Sequence, residues 1–516
     1  MKKYLIIILS CTSIAASAQV PEDALKFSWQ PTNGTARINA VGGAMGSLGG
    51  DISATFVNPA GLAFFKNTDI VLSPGVSMLK NKSQYRGWNV DDKKSSFNLG
   101  TSGIVSGWSG SGAWSSKAIG FGVTRTANFN SNIYYSGLND FSSGAEQYAA
   151  EAASSGIPIN NIPGSNSLSF GTRMAGWNYL IDTATIPGRG VEVVSMSMWD
   201  ALRNGGDCLV NQSQLTQTTG GVTEIALGFA ANKRYKFYLG GSIGLPIVKY
   251  EKSSIFRDED ATGNNDNNFD FYELDETFTT KGMGINAKLG MIFKPAEFWR
   301  VGMAVHTPTW YSLEDSYYGS MAVNLDNYRT VPGTTYANTD QLNNGVRPVY
   351  NYELITPWRI MLSGSYVLRE IEDVRKQKGF ITADVEYVTY QSNKYRNAEE
   401  FSDDGYYDAV NETMKEYYKN AFNFRIGGEL KFTTLMTRLG FAYYGNPYSD
   451  SELKANKMYI SGGLGYRHQG IYIDLTYVHA LQKDVNFPYR LSDKANTFAT
   501  TKGSGSNLML TLGFKI

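Results

Sequence analysis

The chain has 516 residues, with 47 basic and 47 acidic side chains, a formal charge of zero and two cysteines. The even, scattered charge removes the electrostatic footprint of a nucleic-acid binder, and two cysteines supply neither a disulfide framework nor a Cys-based metal site. With 54 Gly, 33 Tyr and 26 Phe and no linker or internal repeat, the composition suits one large β body, with aromatics as interface girdles and glycines where backbones approach closely.

Residues 1–18 read as a secretory signal peptide. Lys2 and Lys3 precede an apolar run over 4–9, and the small-residue site Ala16-Ser17-Ala18 stands before Gln19. A rival reading takes Ile8-Leu9-Ser10-Cys11 as a lipoprotein site with Cys11 acylated. Cleavage after Ala18 leaves Cys208 without a disulfide partner. No later apolar run approaches the roughly 18 residues that a membrane helix needs. A membrane location therefore implies a closed barrel, the other structure that satisfies every backbone group in lipid.

Residues 39–66, NAVGGAMGSLGGDISATFVNPAGLAFFK, precede the first alternating segment and look like nothing later in the chain. Gly42, Gly43, Gly46, Gly49, Gly50 and Gly61 among small and apolar side chains permit close packing but not a sheet, so residues 19–66 read as a plug. Pro59 holds Asn58 extended, and the Asn58 amide can bond nearby backbone to fix a tight turn. Gly43-Ala44-Met45-Gly46, Asp51-Ile52-Ser53-Ala54 and Asn58-Pro59-Ala60-Gly61-Leu62-Ala63 together resemble the N-terminal hatch of the FadL-type outer-membrane transporters of long-chain fatty acids and other hydrophobic compounds. The resemblance implies hatch roles for Asp51, Ser53, Asn58, Pro59, Ala60 and Gly61.

From Asp69 on, apolar residues alternate with small or polar ones, the pattern of strands with lipid on one side and water on the other. Phe422, Phe424, Ile426, Leu430 and Phe432 alternate with Asn423, Arg425, Gly427, Glu429 and Lys431, and the last segment carries Leu508, Leu510, Leu512, Phe514 and Ile516 on one face. About fourteen such segments, centred near residues 73, 99, 122, 226, 243, 286, 303, 362, 386, 427, 440, 462, 475 and 511, predict an all-β fold: a transmembrane antiparallel β-barrel over residues 67–516 with the hatch in its lumen. Short connections at 232–234, 294–297, 433–437 and 468–470 alternate with long ones at 80–93, 128–220, 258–268, 327–350, 394–420, 446–456 and 483–502, which places both barrel ends in the periplasm. A fourteen-stranded barrel with an N-terminal hatch is similar to the FadL-type architecture. The terminal Ile516 departs from the aromatic residue with which outer-membrane strands often end.

Catalysis has little to stand on. His306, His468 and His479 fall in three different segments, and none lies two residues from a Ser. Asp258-Glu259-Asp260 begins like a calcium loop but has Thr262 and Phe269 where ligands are needed, so neither metal nor cofactor is expected. The 128–220 connection carries Trp177, Tyr179, Met196, Met198 and Trp199, a set suited to a capping lid that captures flexible apolar ligands. The resemblance implies capture at extracellular loops, passage to a hatch-gated site and sideways exit through a bent strand, for which Gly100, Gly103, Gly120 and Gly122 are candidates. The expected protein is a non-enzymatic monomer in the outer membrane of a Gram-negative bacterium, in contact with lipid, lipopolysaccharide and a hydrophobic small molecule. The alternatives are a porin, general or solute-specific, whose channel is lined by Arg425, Glu429, Lys288, Asp384 and Glu386, and a surface adhesin or anchor that works through its loops.

Overall fold

The computed structural model describes residues 21–516 apart from 111, 206–207, 327, 329–332, 369–377, 399–404, 451–454 and 492. The expected signal peptide and Cys11 lie outside the described residues. Fourteen antiparallel strands follow one another around a closed barrel. Six run in two pieces: the first (Asp69–Leu72, Pro74–Tyr85), second (Trp88–Leu99, Ser102–Ser109), third (Trp114–Asn128, Ser131–Asn139), seventh (Trp299–His306, Trp310–Asn324), eighth (Val349–Ile355, Arg359–Leu368) and ninth (Gly379–Val388, Lys394–Asn397). The fourth to sixth, Val210–Lys233, Phe237–Asp260 and Phe271–Phe293, are the longest. The tenth to fourteenth are Ala421–Phe432, Leu435–Tyr444, Lys457–His468, Ile471–Asn486 and Ala499–Lys515. The fourteenth pairs with the first, Lys515 opposite Asp69 and Met509 opposite Gly75, so no edge remains at that seam.

The alternation read from the sequence sorts into two faces. Phe422, Phe424, Ile426, Leu430 and Phe432 are exposed, while Asn423, Arg425 and Glu429 between them are buried. Leu239, Ile243, Leu245 and Ile247 of the fifth strand and Met283, Ile285 and Leu289 of the sixth extend the exposed band. An apolar band of this extent belongs in the hydrocarbon of a bilayer, where a closed barrel is the strand structure able to pair its backbone groups. Among the described residues no helix is long and apolar enough to cross a membrane. The barrel thus belongs in an outer membrane. Its short turns lie on the rim where Ile516 N donates to Thr68 O at 2.9 Å, so both barrel ends are at that rim.

Two expected loops are largely strand. Residues 80–93 form a hairpin around Arg86 and Gly87, whose φ values of 45° and 88° make a two-residue turn with both positions left-handed. The 128–220 connection shrinks because Ser131–Asn139 pairs with residues 210–218. Above the bilayer a strand meets water on both faces, so Lys80, Lys82, Lys93 and Lys94 sustain a ladder without the apolar alternation that marks its membrane part.

Residues 24–65 lie inside the barrel. Helices Pro21–Ser28, Ala36–Ala40 and Ala54–Val57 and the 3-10 segment Pro59–Phe64 form there. Ile38, Val41, Met45, Ile52 and Leu62 pack against wall residues Val71, Val105, Ile292, Ala304 and Met361. Helices this short leave most of their backbone groups without a partner, and the wall's polar side chains supply one. The Asp384 carboxylate accepts from Met45 N and Gly46 N at 3.0 and 3.2 Å, Arg300 donates to Leu48 O at 2.6 Å, and Ser242 donates to Thr55 O at 2.7 Å. The interior charges expected of a porin are also paired: Lys288 with Glu224, Arg425 with Asp384 and Glu386, and Glu429 with Arg37 and Arg438. They surround the hatch rather than an open water channel.

Candidate functional site

Asn58 is fully buried and extended, at φ −142° and ψ 97°. Its Oδ1 accepts from Ala60 N at 3.2 Å, which closes the turn over Pro59. Its Nδ2 donates to Gly46 O at 2.5 Å within the hatch, and to Met291 O and Met303 O of the sixth and seventh strands at 3.3 Å. One amide therefore ties two parts of the hatch to two strands of the wall. The wall makes room for it at Gly290, where a Cβ would come within 1.9 Å of Asn58 Oδ1. Asp51 and Ser53 form a second knot. Thr35 Oγ1 donates to Asp51 Oδ2 at 2.8 Å, Thr35 N to Ser53 Oγ at 2.9 Å, and Ser53 N to Asp51 Oδ1 at 3.0 Å. Gly61 N donates to Asn58 O and Gly61 O accepts from Gly50 N, at 2.9 and 3.0 Å. The six motif residues fall into two knots, which the Gly50–Gly61 bond connects. Thr35, which caps Ala36–Ala40, is the member that the sequence motif did not signal.

The second element of the site is an interruption in the wall. The second and third strands pair from Ser102 opposite Val123 to Ser109 opposite Ser116. Beyond that point, among the described residues, Trp88–Leu99 pairs only with the first strand and the third strand only with the fourth. The break falls within the lipid band, between exposed Phe97 and Ile104. Hatch residues 33 and 34 take the place of the missing partner. Thr101 N donates to Gly34 O at 3.1 Å, the Thr101 and Thr124 hydroxyls donate to Asn33 O at 3.1 and 2.8 Å, and Asn33 Nδ2 donates to Leu99 O and Arg125 O at 3.1 and 2.7 Å. Each unsatisfied backbone group in hydrocarbon costs several kcal/mol, so an unpaired edge at this depth needs such a seal. Gly100 stands at the break, where a Cβ would come within 2.6 Å of Gly34 O, and Gly103 just below it has φ 147°. Gly120 and Gly122 lie in the continuous ladder below, facing Leu62 and Phe56 of the hatch. The Asn33-Gly34 dipeptide is a turn signal in the sequence, yet nothing local announces that its turn would rest against residues 99 and 125.

A cavity of about 900 Å³ lies behind the break. Its walls are hatch residues between 25 and 43, both unpaired edges (Ser96 and Asn98, Arg125 and Asn128), the first strand and the eleventh to fourteenth strands. A second cavity, of about 70 Å³, shares Pro31, Thr32 and Asn33 with it, so this segment is the partition between them.

The rest of the 128–220 connection, the expected lid, packs over the strand ends opposite the short turns. Helices Glu146–Ser155, Phe170–Trp177 and Trp199–Asn204 and the hairpin Ile181–Ile186 with Gly190–Ser195 enclose Met174, Leu180, Met196 and Trp199 over the raised ends of the fifth to seventh strands. Of the residues expected to capture ligand, Met196 and Trp199 belong to the lid's core, Met198 is half-buried, Trp177 and Tyr179 face outward, and none lines the large cavity. The lid docks through Asp258, eleven residues beyond the last lipid-facing side chain of its strand. Asp258 Oδ2 accepts from Ser143 Oγ at 2.6 Å and Gly144 N at 2.8 Å. Burial raises the carboxyl to about 7 despite these bonds.

No family model and no curated protein matches the sequence. Among solved structures, a FadL homologue of Pseudomonas aeruginosa is similar with a TM-score of 0.52 at 13% identity, over 94% of this chain and 99% of the other. The P. putida toluene transporter TodX gives 0.51 at 12% identity, over 95% and 99%. At such identities the likeness is one of fold, and it extends over nearly the whole chain. The chain has the fold of the FadL-type outer-membrane barrels.

Proposed function

We propose that the protein takes up hydrophobic compounds across the outer membrane. In this reading a ligand captured outside enters the 900 Å³ cavity and leaves sideways into the bilayer when the segment around Asn33 withdraws from the interrupted ladder. The interruption is the observation that carries the reading. A polar lumen offers an apolar solute nothing, whereas a path that opens at lipid depth delivers it to a phase it prefers. The hatch sealing that path is held by side-chain bonds to the wall, at Asn58, Asp384 and Arg300, and not by a ladder. Such contacts can be exchanged one at a time. The solved structure named as a toluene transporter supports an apolar cargo. Gly100 and Gly103 act here as the bend of the gap, Gly120 and Gly122 as clearance for the hatch, and Trp177 and Tyr179 as the outward capture surface.

Uptake by whole cells tests this. Cells expressing the protein should accumulate radiolabelled apolar ligand above a vector control while a small hydrophilic sugar enters no faster. Entry of the sugar without the apolar ligand would overturn the reading.

A further inference from the structure

The hairpin that joins the first two strands rises above the bilayer, and its outward face carries unbalanced positive charge. Side chains alternate along these strands and the fourteenth, so Asn81, Ser83 and Thr501 are buried while Lys82 and Lys502 on the other face are exposed. Lys80 stands directly opposite Lys93 across the hairpin ladder, and Lys82 directly opposite Lys502 across the seam with the fourteenth strand. Cross-strand partners of like charge repel, so each pair costs stability wherever no anion lies between its members. Asp91 reaches Lys80 at 2.6 Å, and among the described residues no carboxylate lies within ion-pair distance of Lys82, Lys93 or Lys502.

The position of these lysines is as specific as their charge. Below them on the same outward face stand Val76, Met78, Phe97 and Leu508, all exposed, with Val76 paired to both Phe97 and Leu508. At the rise of an antiparallel strand, Lys80 and Lys82 lie about 7 and 14 Å beyond Met78, which places them in and just above the headgroup layer of a bilayer. The fifth to eighth strands are the natural control. Beyond their lipid-facing residues they expose Lys249 and Lys281 together with Glu251, Glu314 and Glu353, and Glu314 is directly opposite Lys281. Segregated positive charge is therefore a property of one sector of the outer wall and not of the whole rim.

We infer that this sector binds a phosphorylated glycolipid of the outer leaflet, its acyl chains along Val76, Met78, Phe97 and Leu508 and its phosphates between the paired lysines. The cations are continuous with the apolar wall, so one amphipathic molecule fills both, which an acidic protein docked from outside does not. Lysine ammoniums are point charges that suit phosphate, and phosphates set between them remove the repulsion within both pairs. The site adjoins the interruption in the wall, since Lys93 and Phe97 belong to the strand piece that ends there. It depends on the membrane location and not on the transport reading.

The test is binding to the purified full-length protein in nanodiscs of zwitterionic phosphatidylcholine, with lipid A bearing two phosphates and the same lipid A stripped of both as probes. The phosphorylated probe should bind about tenfold more tightly, and its advantage should shrink as salt rises. Lys80→Gln, Lys82→Gln, Lys93→Gln and Lys502→Gln combined should abolish that advantage with heat-modifiable gel mobility unchanged, whereas Lys249→Gln with Lys281→Gln should preserve it. Lys82→Gln with Lys502→Gln alone should remove part of it and covers the case in which the combined variant fails to assemble. Equal binding of the two probes, or an undiminished advantage in the lysine variants, overturns the site. Displacement of the phosphorylated probe by inorganic phosphate at equal concentration overturns its assignment to a lipid.

Discussion

At the scale of single residues, Asn58 explains why a hatch built from short helices holds one arrangement. Its amide has three acceptors, and replacing it leaves Gly46 O, Met291 O and Met303 O buried without that donor, at a cost of about 1–3 kcal/mol for each group left unsatisfied. Asn58→Ala with Pro59→Ala should slow apolar uptake several-fold while heat-modifiable gel mobility, which reports barrel assembly, stays as in the parent. Parental uptake by that variant would show that the turn does not hold the gate. The Asn58 turn was legible in the sequence because Pro59 dictates the backbone before it and Asn can bond two residues ahead. Asn33 was not, because its bonds reach 66 residues to Leu99 and 92 to Arg125, and no local pattern records such a reach.

At the scale of elements, the membrane part of each strand could be read because lipid demands a strict two-residue alternation. The extensions above it could not, because water on both faces demands nothing. The lid's set of Trp and Met was visible, but its packing was not. Met196 and Trp199 turned inward because the lid must bury a core of its own over the fifth to seventh strands. Its docking contact carries a pH dependence. Burial raises the Asp258 carboxyl from its ordinary 3.8 to about 7, so the docked lid holds the proton more tightly than an undocked one. The docking free energy gained from that proton is fully present below the ordinary value, weakens as pH rises, and is gone above about 7. Tyr272, Tyr148 and Glu146, the last paired with Lys494, surround the group. Amide exchange over residues 139–146, corrected for intrinsic rate, should therefore accelerate between pH 5.5 and 8, with Asp258→Asn flattening the change. An equal pH response in that variant would assign the effect elsewhere.

At the scale of the molecule, barrel, hatch and gap form one device. The closed wall keeps the protein in lipid, and the interior charges neutralise one another around the hatch. The interrupted ladder between the second and third strands is sealed by hydrogen bonds to residues 33 and 34 and not by a ladder. Deleting residues 21–66 should raise single-channel conductance in planar bilayers, since the packed hatch is what fills the lumen. An unchanged conductance would mean that the wall alone closes the pore. The central claim, that ligand leaves through the break when the Asn33 segment moves, is tested most directly by tethering that segment to the edge it seals. In a Cys208→Ser background, Asn33→Cys and Asn98→Cys can be joined by a short reducible linker, since the two native side chains meet at 3.3 Å. Linked protein should lose about nine-tenths of its apolar uptake and regain it on reduction, while binding of ligand at the cell surface is unchanged. Uptake at the parental rate with the linker demonstrably in place would contradict the account.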